Sequence, residues 1–452
     1  MTGLPFYVVT LSHSTWEEAV AYASSLPSGC LPEIRLDIFP DQEPERLVSA
    51  LKGCCLVTCR RKAEGGRWEG TEEERLGLLQ RALEARPLWL DLEWDLAVPE
   101  SFRLSLTRTR LLRSIHVPAG VFDLEERLHD LPEGDAYKWV GVASRLSDNA
   151  RLRTPLDAAR DRGLVLSAFL MGSKGMVSRA MQGAWGGSFT YAAPDDGPPA
   201  APGQIPLAIM RSWRCHRIHP GHGLCGVIGS PVLHSRGPAF HNPRFQGHFK
   251  SLLYLPLDCD DAEEAMDALD PLEILGASIT APLKESLAVK LGSPGPVNTI
   301  WRRTPRALWS SANTDYSALE TLCSKLERGP VLILGGGGVA RISGRFFADL
   351  GCPVRVATRS NALTAEDVES FAPVGVVQAT SLGMEVQDPL PFPHLLDAAR
   401  PSLCWAVEWI YKTETTFLRW AQQQNLERVE GAALFEAQAA TQNGLFIQHC
   451  GE

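Results

Sequence analysis

Lys138 stands inside an otherwise apolar run, AYKWVGVA (136–143), and His116 closes the run before it, LLRSIH. An amine inside a strand is costly to bury unless it is paired or neutral. A partly desolvated lysine has a lowered pKa and is a good nucleophile toward carbonyls, which reads as Schiff-base chemistry. Glu33 and Arg35 alternate on an earlier run, so the two-residue period points both to one side. Arg60 and Glu64 follow the next run, and Arg179 comes after the seventh. Two or three guanidiniums with no excess of carboxylates predict a small carboxylated substrate, which arginine clamps bidentately. The bland readings are a snorkelling or ion-paired strand lysine and a strand-end histidine satisfied by backbone.

These residues need a scaffold that brings several strand ends together. Apolar runs fall at 7–11, 33–37, 55–59, 88–94, 111–116, 137–143, 164–170 and 189–193, with helix-like stretches such as TWEEAVAYASSL between most of them. That rhythm predicts a (β/α)8 barrel with the chemistry at the C-terminal strand ends. PDDGPPAAPGQ (194–204) sits where a barrel carries its active-site lid, and RSWRCHRIHPGHG (211–223) reads as a linker.

Six segments carry a resemblance. EIRLD, TCRRKAEGG, SIH, DAYKWV, MGSKGMVSR and APGQI occur in the order found in type I 3-dehydroquinate dehydratases. The resemblance implies that Lys138 forms an imine with the ring ketone of 3-dehydroquinate. His116 would remove the alpha proton and later protonate the departing hydroxyl, with Glu64 orienting it. Arg179 and Gln204 would hold the carboxylate and a neighbouring hydroxyl, and Glu33, Arg35 and Arg60 the remaining hydroxyls. Ala200 stands where that family often has a serine, so one substrate hydrogen bond, worth about 1 kcal/mol, is expected to be missing.

From residue 330 the run VLILGGGGVARISGRFFADLG reads as a buried strand, a glycine turn and an amphipathic helix, with Val339, Ile342, Phe346, Phe347 and Leu350 on one face and Gly351 as the stop. Such a turn presents a helix N-terminus to a pyrophosphate. The next strand ends in Thr358, Arg359 and Ser360, a cation flanked by hydroxyls that suits the 2′-phosphate of NADP(H). Around this unit GVIGSPVLHSRGPAFHN, GASITAPLKE, VNTIW, ANTD, ATSLGM, WIYKTETTFL and ALFEAQ resemble shikimate dehydrogenases in order. The resemblance implies that Lys284 and Asp315 are a catalytic pair, and that Ser235, Thr280, Asn298, Tyr411 and Gln438 touch substrate. Gly335, Gly337, Gly338 and Arg359 would touch cofactor, with Thr358, Ser360 and Met384 as further contacts. Gly237, Ser278, Gln378 and Glu408 depart from the pattern. The first removes a hydroxyl of the carboxylate clamp, and the space it opens could admit the extra hydroxyl of quinate.

The expected architecture is therefore α/β: a barrel over 1–208, a linker over 209–223, and a two-lobed shikimate-dehydrogenase-like domain. Its substrate lobe covers 224–320 with a returning helix at 430–452, and its Rossmann NADP-binding lobe covers 321–429. The implied function is dehydration of 3-dehydroquinate to 3-dehydroshikimate, then NADPH-dependent reduction to shikimate. The alternatives are a second half that acts on quinate, or one that is a non-catalytic binding scaffold for an active dehydratase.

The 452 residues carry a net charge of −9, which argues against nucleic acid or an anionic membrane surface as partner. Eleven scattered cysteines fit reduced thiols of a cytosolic protein. No stretch approaches a membrane span. The N-terminus enters a strand almost at once, so a cytoplasmic location is expected, with a trimmed plastid precursor as the alternative. Cys215, His216, His219, His222 and Cys225 have a spacing that could bind zinc, but a hinge with a core cysteine is the preferred reading, and no metal is expected.

Overall fold

The computed structural model describes residues 4–293, 295–361, 363–385, 387–411 and 414–451. The chain divides into two compact units, one ending at Ile274 and one starting at Leu275.

In the first unit one sheet of parallel strands forms the barrel: β1 (Tyr7–Thr10), β2 (Cys30–Arg35), β3 (Leu56–Thr58), β4 (Trp89–Glu93), β5 (Arg110–His116), β6 (Ala136–Val142), β7 (Leu166–Met171) and β8 (Thr190–Ala192). They run in the order β7-β6-β5-β4-β3-β2-β1-β8. The Ser188 amide, just before β8, donates to the Leu166 carbonyl on β7 at 2.8 Å and nearly closes the ring. Helices start where the sequence supplies caps: Thr15 with Glu18, and Thr71 with Glu74, form reciprocal capping boxes. β2 begins at Cys30, earlier than the apolar run suggests, because it pairs level with Tyr7 of β1.

Inside the barrel the two-residue period stacks side chains in layers. Leu31, Leu56, Trp89, Leu112 and Ala136 form an apolar floor. One step further along the same strands come Glu33, Thr58, Asp91, Ser114 and Lys138, all buried. The floor excludes water beneath the polar layer, which is what makes those charges interact strongly.

Residues 209–218, expected as linker, are packed instead. The helix Leu207–Ser212 is followed by a buried Cys215, and the Tyr7 hydroxyl donates to the Met210 carbonyl at 3.2 Å and lies 3.0 Å from His216 Nδ1. Burial lifts the Cys215 thiol to about 12. Cys225 is buried on β9 (Gly223–Gly229), which pairs in parallel with β10 (Leu252–Asp258). Among the described residues no cluster of His, Cys, Asp and Glu could hold a metal ion.

In the second unit β11 (Ile274–Ile279), which starts at the division, pairs antiparallel with β12 (Thr299–Trp301), and β12 with β13 (Ser310–Ala312). A parallel sheet follows: β14 (Val331–Leu334), β15 (Val354–Ala357), β16 (Gly375–Gln378), β17 (Trp405–Glu408) and β18 (Glu427–Val429), in the order β15-β14-β16-β17-β18. Alternate residues of β14 serve opposite faces: Ile333 packs with Phe346, Phe347 and Trp405, and Leu332 and Leu334 with Leu396 and Phe417. This is the doubly wound Rossmann arrangement. The helix Gly338–Asp349 is followed by Gly351 at φ 80°. The C-terminal helix Gly431–His449 returns to β11 and β12: a Cβ on Gly276 would lie 2.6 Å from Phe446, and Gln442 Nε2 donates to the Asn298 carbonyl at 3.2 Å. Among the described residues no helix is long and apolar enough to cross a membrane.

Candidate active site

The C-terminal end of the barrel holds a cavity of about 400 Å³, open solvent at its mouth included. Glu33, Arg35, Arg60, His116, Lys138, Arg179 and Gln204 line it, together with Thr10, Phe169, Tyr191, Ala200 and Ala201. Lys138 Nζ donates to Asp91 Oδ2 at 2.7 Å and to the Tyr191 hydroxyl at 3.3 Å, 4.6 Å from the Tyr191 ring centre. Burial lowers its pKa from the ordinary lysine value, Arg60 adds to that, and Asp91 opposes it. Burial alone would raise the Asp91 carboxyl, yet Arg60 and Lys138 beside it hold it well below the usual carboxylate range.

His116 Nδ1 lies 2.9 Å from Glu64 Oε2. With Glu64 accepting the Nδ1 proton, Nε2 is left as the free base. Burial, reinforced by the Arg60 and Lys138 cations, pushes the imidazole well below its usual pKa and so favours its neutral form.

The arginines are not equivalent. Arg60 is held by Asp91 at 2.7 Å, Glu64 at 3.2 Å and Glu93 at 3.3 Å, and Arg35 by both oxygens of Asp37. This corrects the expectation that carboxylates are not in excess: Asp91 and Glu93 alternate on β4 and point into the barrel. They neutralise Arg60 in the free protein, and Asp37 does the same for Arg35. Arg179 differs. It is 1% exposed, its Nε and Nη1 have no hydrogen-bond partner, and its guanidinium lies 4.1 Å from the Phe169 ring centre. Burial pushes its pKa down to about 9. An unpartnered buried guanidinium is a waiting site for an anion.

Above it the loop 194–204 is tied down. Ser12 Oγ donates to the Pro198 carbonyl at 2.5 Å, His13 Nε2 lies 2.8 Å from Asp196, and Gln204 Oε1 accepts the Ala200 amide at 2.8 Å. Ala200 contributes no hydroxyl, while Gln204 Nε2 reaches Thr10 Oγ1 at 3.4 Å. Asp91 and Tyr191 were missed by sequence reasoning. The alternation in LWLDLEW and FTYAA puts both on the inward face with Lys138's layer, a signal masked by the apolar residues around them.

In the remainder of the first unit, Ser235 Oγ accepts the Gly237 amide at 3.1 Å. A Cβ on Gly237 would lie 2.7 Å from Tyr254 Cε1. The Tyr254 ring, stacked on His241 with centres 4.3 Å apart, fills the space that a serine side chain would need. This corrects the expectation that Gly237 opens room for another hydroxyl.

In the second unit Lys284 Nζ donates to Asp315 Oδ2 at 2.6 Å, with both side chains largely buried. The sequence places Lys284 at the start of the helix Lys284–Lys290 and Asp315 in the first turn of Thr314–Cys323, which Asn313 caps. Asn298 Oδ1 accepts the Thr314 amide at 2.7 Å, while its Nδ2 is buried without a hydrogen-bond partner. Gln438 Oε1 accepts from Thr314 Oγ1 at 3.2 Å. Asn298, Thr314, Gln438 and the Lys284–Asp315 pair therefore form one neighbourhood, and Thr280 heads the turn into it, its carbonyl accepting the Leu283 amide at 2.9 Å. Tyr411 stands on the loop after β17, stacked on Phe435 at 4.6 Å. Of the departures, Ser278 Oγ donates to Gln442 and Gln378 is bound within its own turn. Glu408 is buried, accepting from the Ile410 amide and the Thr415 hydroxyl.

The glycine turn lies beside that pair: a Cβ on Gly338 would come within 3.9 Å of Lys284 Cδ. Gly335 has φ 121°, and a Cβ there would meet the Ala379 carbonyl oxygen at 2.6 Å, so only glycine fits. Gly337 has nothing within 4 Å of a built Cβ, leaving the helix N-terminus accessible. Arg359 and Ser360 are exposed after β15, Thr358 Oγ1 lies 3.1 Å from Ser360 Oγ, and Met384 is exposed after β16.

Known proteins align with this layout. Residues 7–214 match the family described as type I 3-dehydroquinase, and residues 227–292 the shikimate dehydrogenase substrate binding domain. The chain is 27% identical over 474 residues to the bifunctional 3-dehydroquinate dehydratase/shikimate dehydrogenase, chloroplastic, of Arabidopsis thaliana, covering 92% of this chain and 77% of that one. It is 35% identical over 184 residues to the 3-dehydroquinate dehydratase of Dehalococcoides mccartyi, 39% of this chain and 82% of that one. A solved structure of dehydroquinate dehydratase and shikimate dehydrogenase from S. pombe aligns at 20% identity and TM-score 0.41, over 100% of this chain and 97% of that one. The chain belongs to the type I 3-dehydroquinase family, and it joins that barrel to a shikimate dehydrogenase substrate-binding domain, as the bifunctional Arabidopsis relative does.

Proposed function

We propose that the barrel dehydrates 3-dehydroquinate through an imine on Lys138, and that the second domain reduces the product, 3-dehydroshikimate, to shikimate with NADPH. The observation that carries the reading is one cavity holding a buried amine, an imidazole backed by a carboxylate and an unpartnered buried guanidinium.

The substrate carboxylate pairs with Arg179, which supplies the missing partner for that cation and sets the ring ketone against Lys138. Burial raises the fraction of neutral amine, and the amine attacks the ketone carbon to form a carbinolamine. Loss of water gives the iminium, with Asp91 0% exposed beside it as the countercharge. The iminium is an electron sink, so the alpha C–H becomes acidic enough for His116 Nε2. Glu64 stabilises the imidazolium that results, and the same proton goes to the departing hydroxyl, which leaves as water. A second water then releases the enone and restores the lysine.

In the second domain the residues fit a dinucleotide: glycines where a Cβ would clash or where the backbone must stay open, a helix N-terminus, and Arg359 after β15 for a 2′-phosphate. NADPH, when bound, supplies the hydride. Lys284, hydrogen-bonded to Asp315, holds the proton that goes to the carbonyl oxygen, and the free Nδ2 of Asn298 offers a donor to a ring hydroxyl. Thr280 offers a hydroxyl, and Tyr411 and Gln438 further polar contacts. The substrates are small molecules, and the site calls for neither nucleic acid nor membrane.

The test is product analysis from 3-dehydroquinate with and without NADPH. The expected result is 3-dehydroshikimate without cofactor and shikimate with it. Accumulation of 3-dehydroshikimate in both would refute the second assignment, and recovery of unchanged substrate the first.

A further inference from the structure

Glu264 lies beyond the barrel, on the helix Ala262–Leu269, whose N-terminus is capped by Asp261 accepting the Glu264 amide at 2.8 Å. It is 7% exposed, unusual for a glutamate on a short helix. Its carboxylate accepts from Lys174 Nζ at 2.6 and 2.9 Å and from the Leu146 amide at 2.8 Å. Both partners belong to barrel loops at the C-terminal end of the strands, where the cavity opens. Two more exposed pairs flank it, Arg145 with Asp267 at 2.9 Å and Arg153 with Glu273 at 2.5 Å.

The Glu264 contacts lead to the substrate arginine. The Lys174 carbonyl accepts from Asn149 Nδ2 at 2.8 Å, and Asn149 Oδ1 accepts the Ser178 amide at 3.2 Å. Ser178 Oγ donates to the Gly175 carbonyl at 2.7 Å and accepts the Leu170 amide at 2.9 Å, fixing the turn onto β7. The next residue is Arg179. Its own guanidinium has unpartnered nitrogens, so in the free protein its position depends on the segment that carries it.

We propose that Glu264 is a positioning residue for the barrel reaction: by holding Lys174 and Leu146 it fixes the 172–179 turn, and so Arg179, in the geometry that receives the substrate carboxylate. The inference rests on the proposed dehydration. It makes the segment after the barrel part of the dehydratase rather than a passenger. A displaced guanidinium loses a bidentate contact, and a misplacement of about 1 Å is enough to do so.

The experiment uses the full chain with Glu264→Gln, Lys174→Met, the double variant and Lys174→Arg. Dehydratase kcat and KM for 3-dehydroquinate are measured beside urea midpoints. Expected are a KM raised about fivefold to tenfold in each of the first two, with kcat within twofold of wild type. The double variant should be no worse than the worse single variant, because both remove one interaction, and Lys174→Arg should return KM to within twofold. Unchanged KM in both singles, multiplying effects in the double, or a lowered urea midpoint with KM intact would overturn the proposal. A wild-type chain that does not dehydrate 3-dehydroquinate would instead refute the function on which it rests.

Discussion

Replacing Arg179 by leucine should weaken substrate binding and, at the same time, leave the free protein about as stable as wild type. Arg179 is 1% exposed with Nε and Nη1 unpartnered, and burial pushes it down to about 9. Two charge-assisted bonds to a carboxylate are worth about 1.5–3 kcal/mol each, so their loss, with partial compensation, costs about 3–5 kcal/mol. At about 1.4 kcal/mol per tenfold, dehydratase kcat/KM should fall on the order of 10²- to 10³-fold, mainly through KM. In the free protein the variant sheds the desolvation cost of an unpaired cation, about 1–3 kcal/mol. It also gives up the contact with the Phe169 ring, worth about 1–2 kcal/mol. The two nearly cancel, leaving a net of about −1 to +2 kcal/mol and a melting temperature within a few degrees of wild type. The assays are steady-state kinetics and thermal melts with and without 3-dehydroshikimate; ligand should stabilise wild type and not the variant. A variant with unchanged KM, or one that melts several degrees lower without ligand, would refute the reasoning.

Glu408 is a carboxyl that burial raises to about 7, above its unfolded value near 4.5. Its protonated form is favoured in the fold, so its contribution to stability is complete below about pH 4.5 and lost as pH rises through 7. Glu408→Gln should therefore gain stability relative to wild type between pH 5 and 8, read as a divergence of urea midpoints; parallel pH curves would count against it. His116 runs the other way, with a folded pKa well below 6.5, so its share of stability is present above 6.5 and fades as pH falls. Glu64→Gln should cut dehydratase kcat about 10- to 100-fold by weakening the imidazolium partner, and an unchanged kcat would remove Glu64 from the mechanism. Gly237→Ser should fail to tighten shikimate binding and should destabilise the chain by about 1–3 kcal/mol, because its Cβ meets the Tyr254 ring at 2.7 Å; a tighter KM with full stability would show that the ring yields freely.

The barrel and its lysine are legible in the sequence because strand periodicity is local. Lys138, His116 and Glu33 fall on inward positions as soon as the register of each run is known, and the glycine turn before Val339 marks the Rossmann helix in the same way. What sequence reasoning misses is pairing across the fold. The fate of Arg60 depends on Asp91 and Glu93, which sit on the inward positions of β4 but inside a run that reads as apolar. The ring that fills the gap at Gly237 comes from β10, and no spacing rule links Tyr254 to a missing hydroxyl. Glu264 belongs to AEEAMDAL, a segment with the pattern of a solvated surface helix, and only the packed structure shows it buried against the barrel.

The central claim is that the Lys138 amine bonds covalently to the substrate ketone. Mass spectrometry of the intact chain after borohydride reduction with 3-dehydroquinate, followed by peptide mapping, measures it directly. The account predicts one added substrate-derived mass located on Lys138 and absent from Lys138→Ala; an adduct on another lysine, or none while dehydration proceeds, would contradict it.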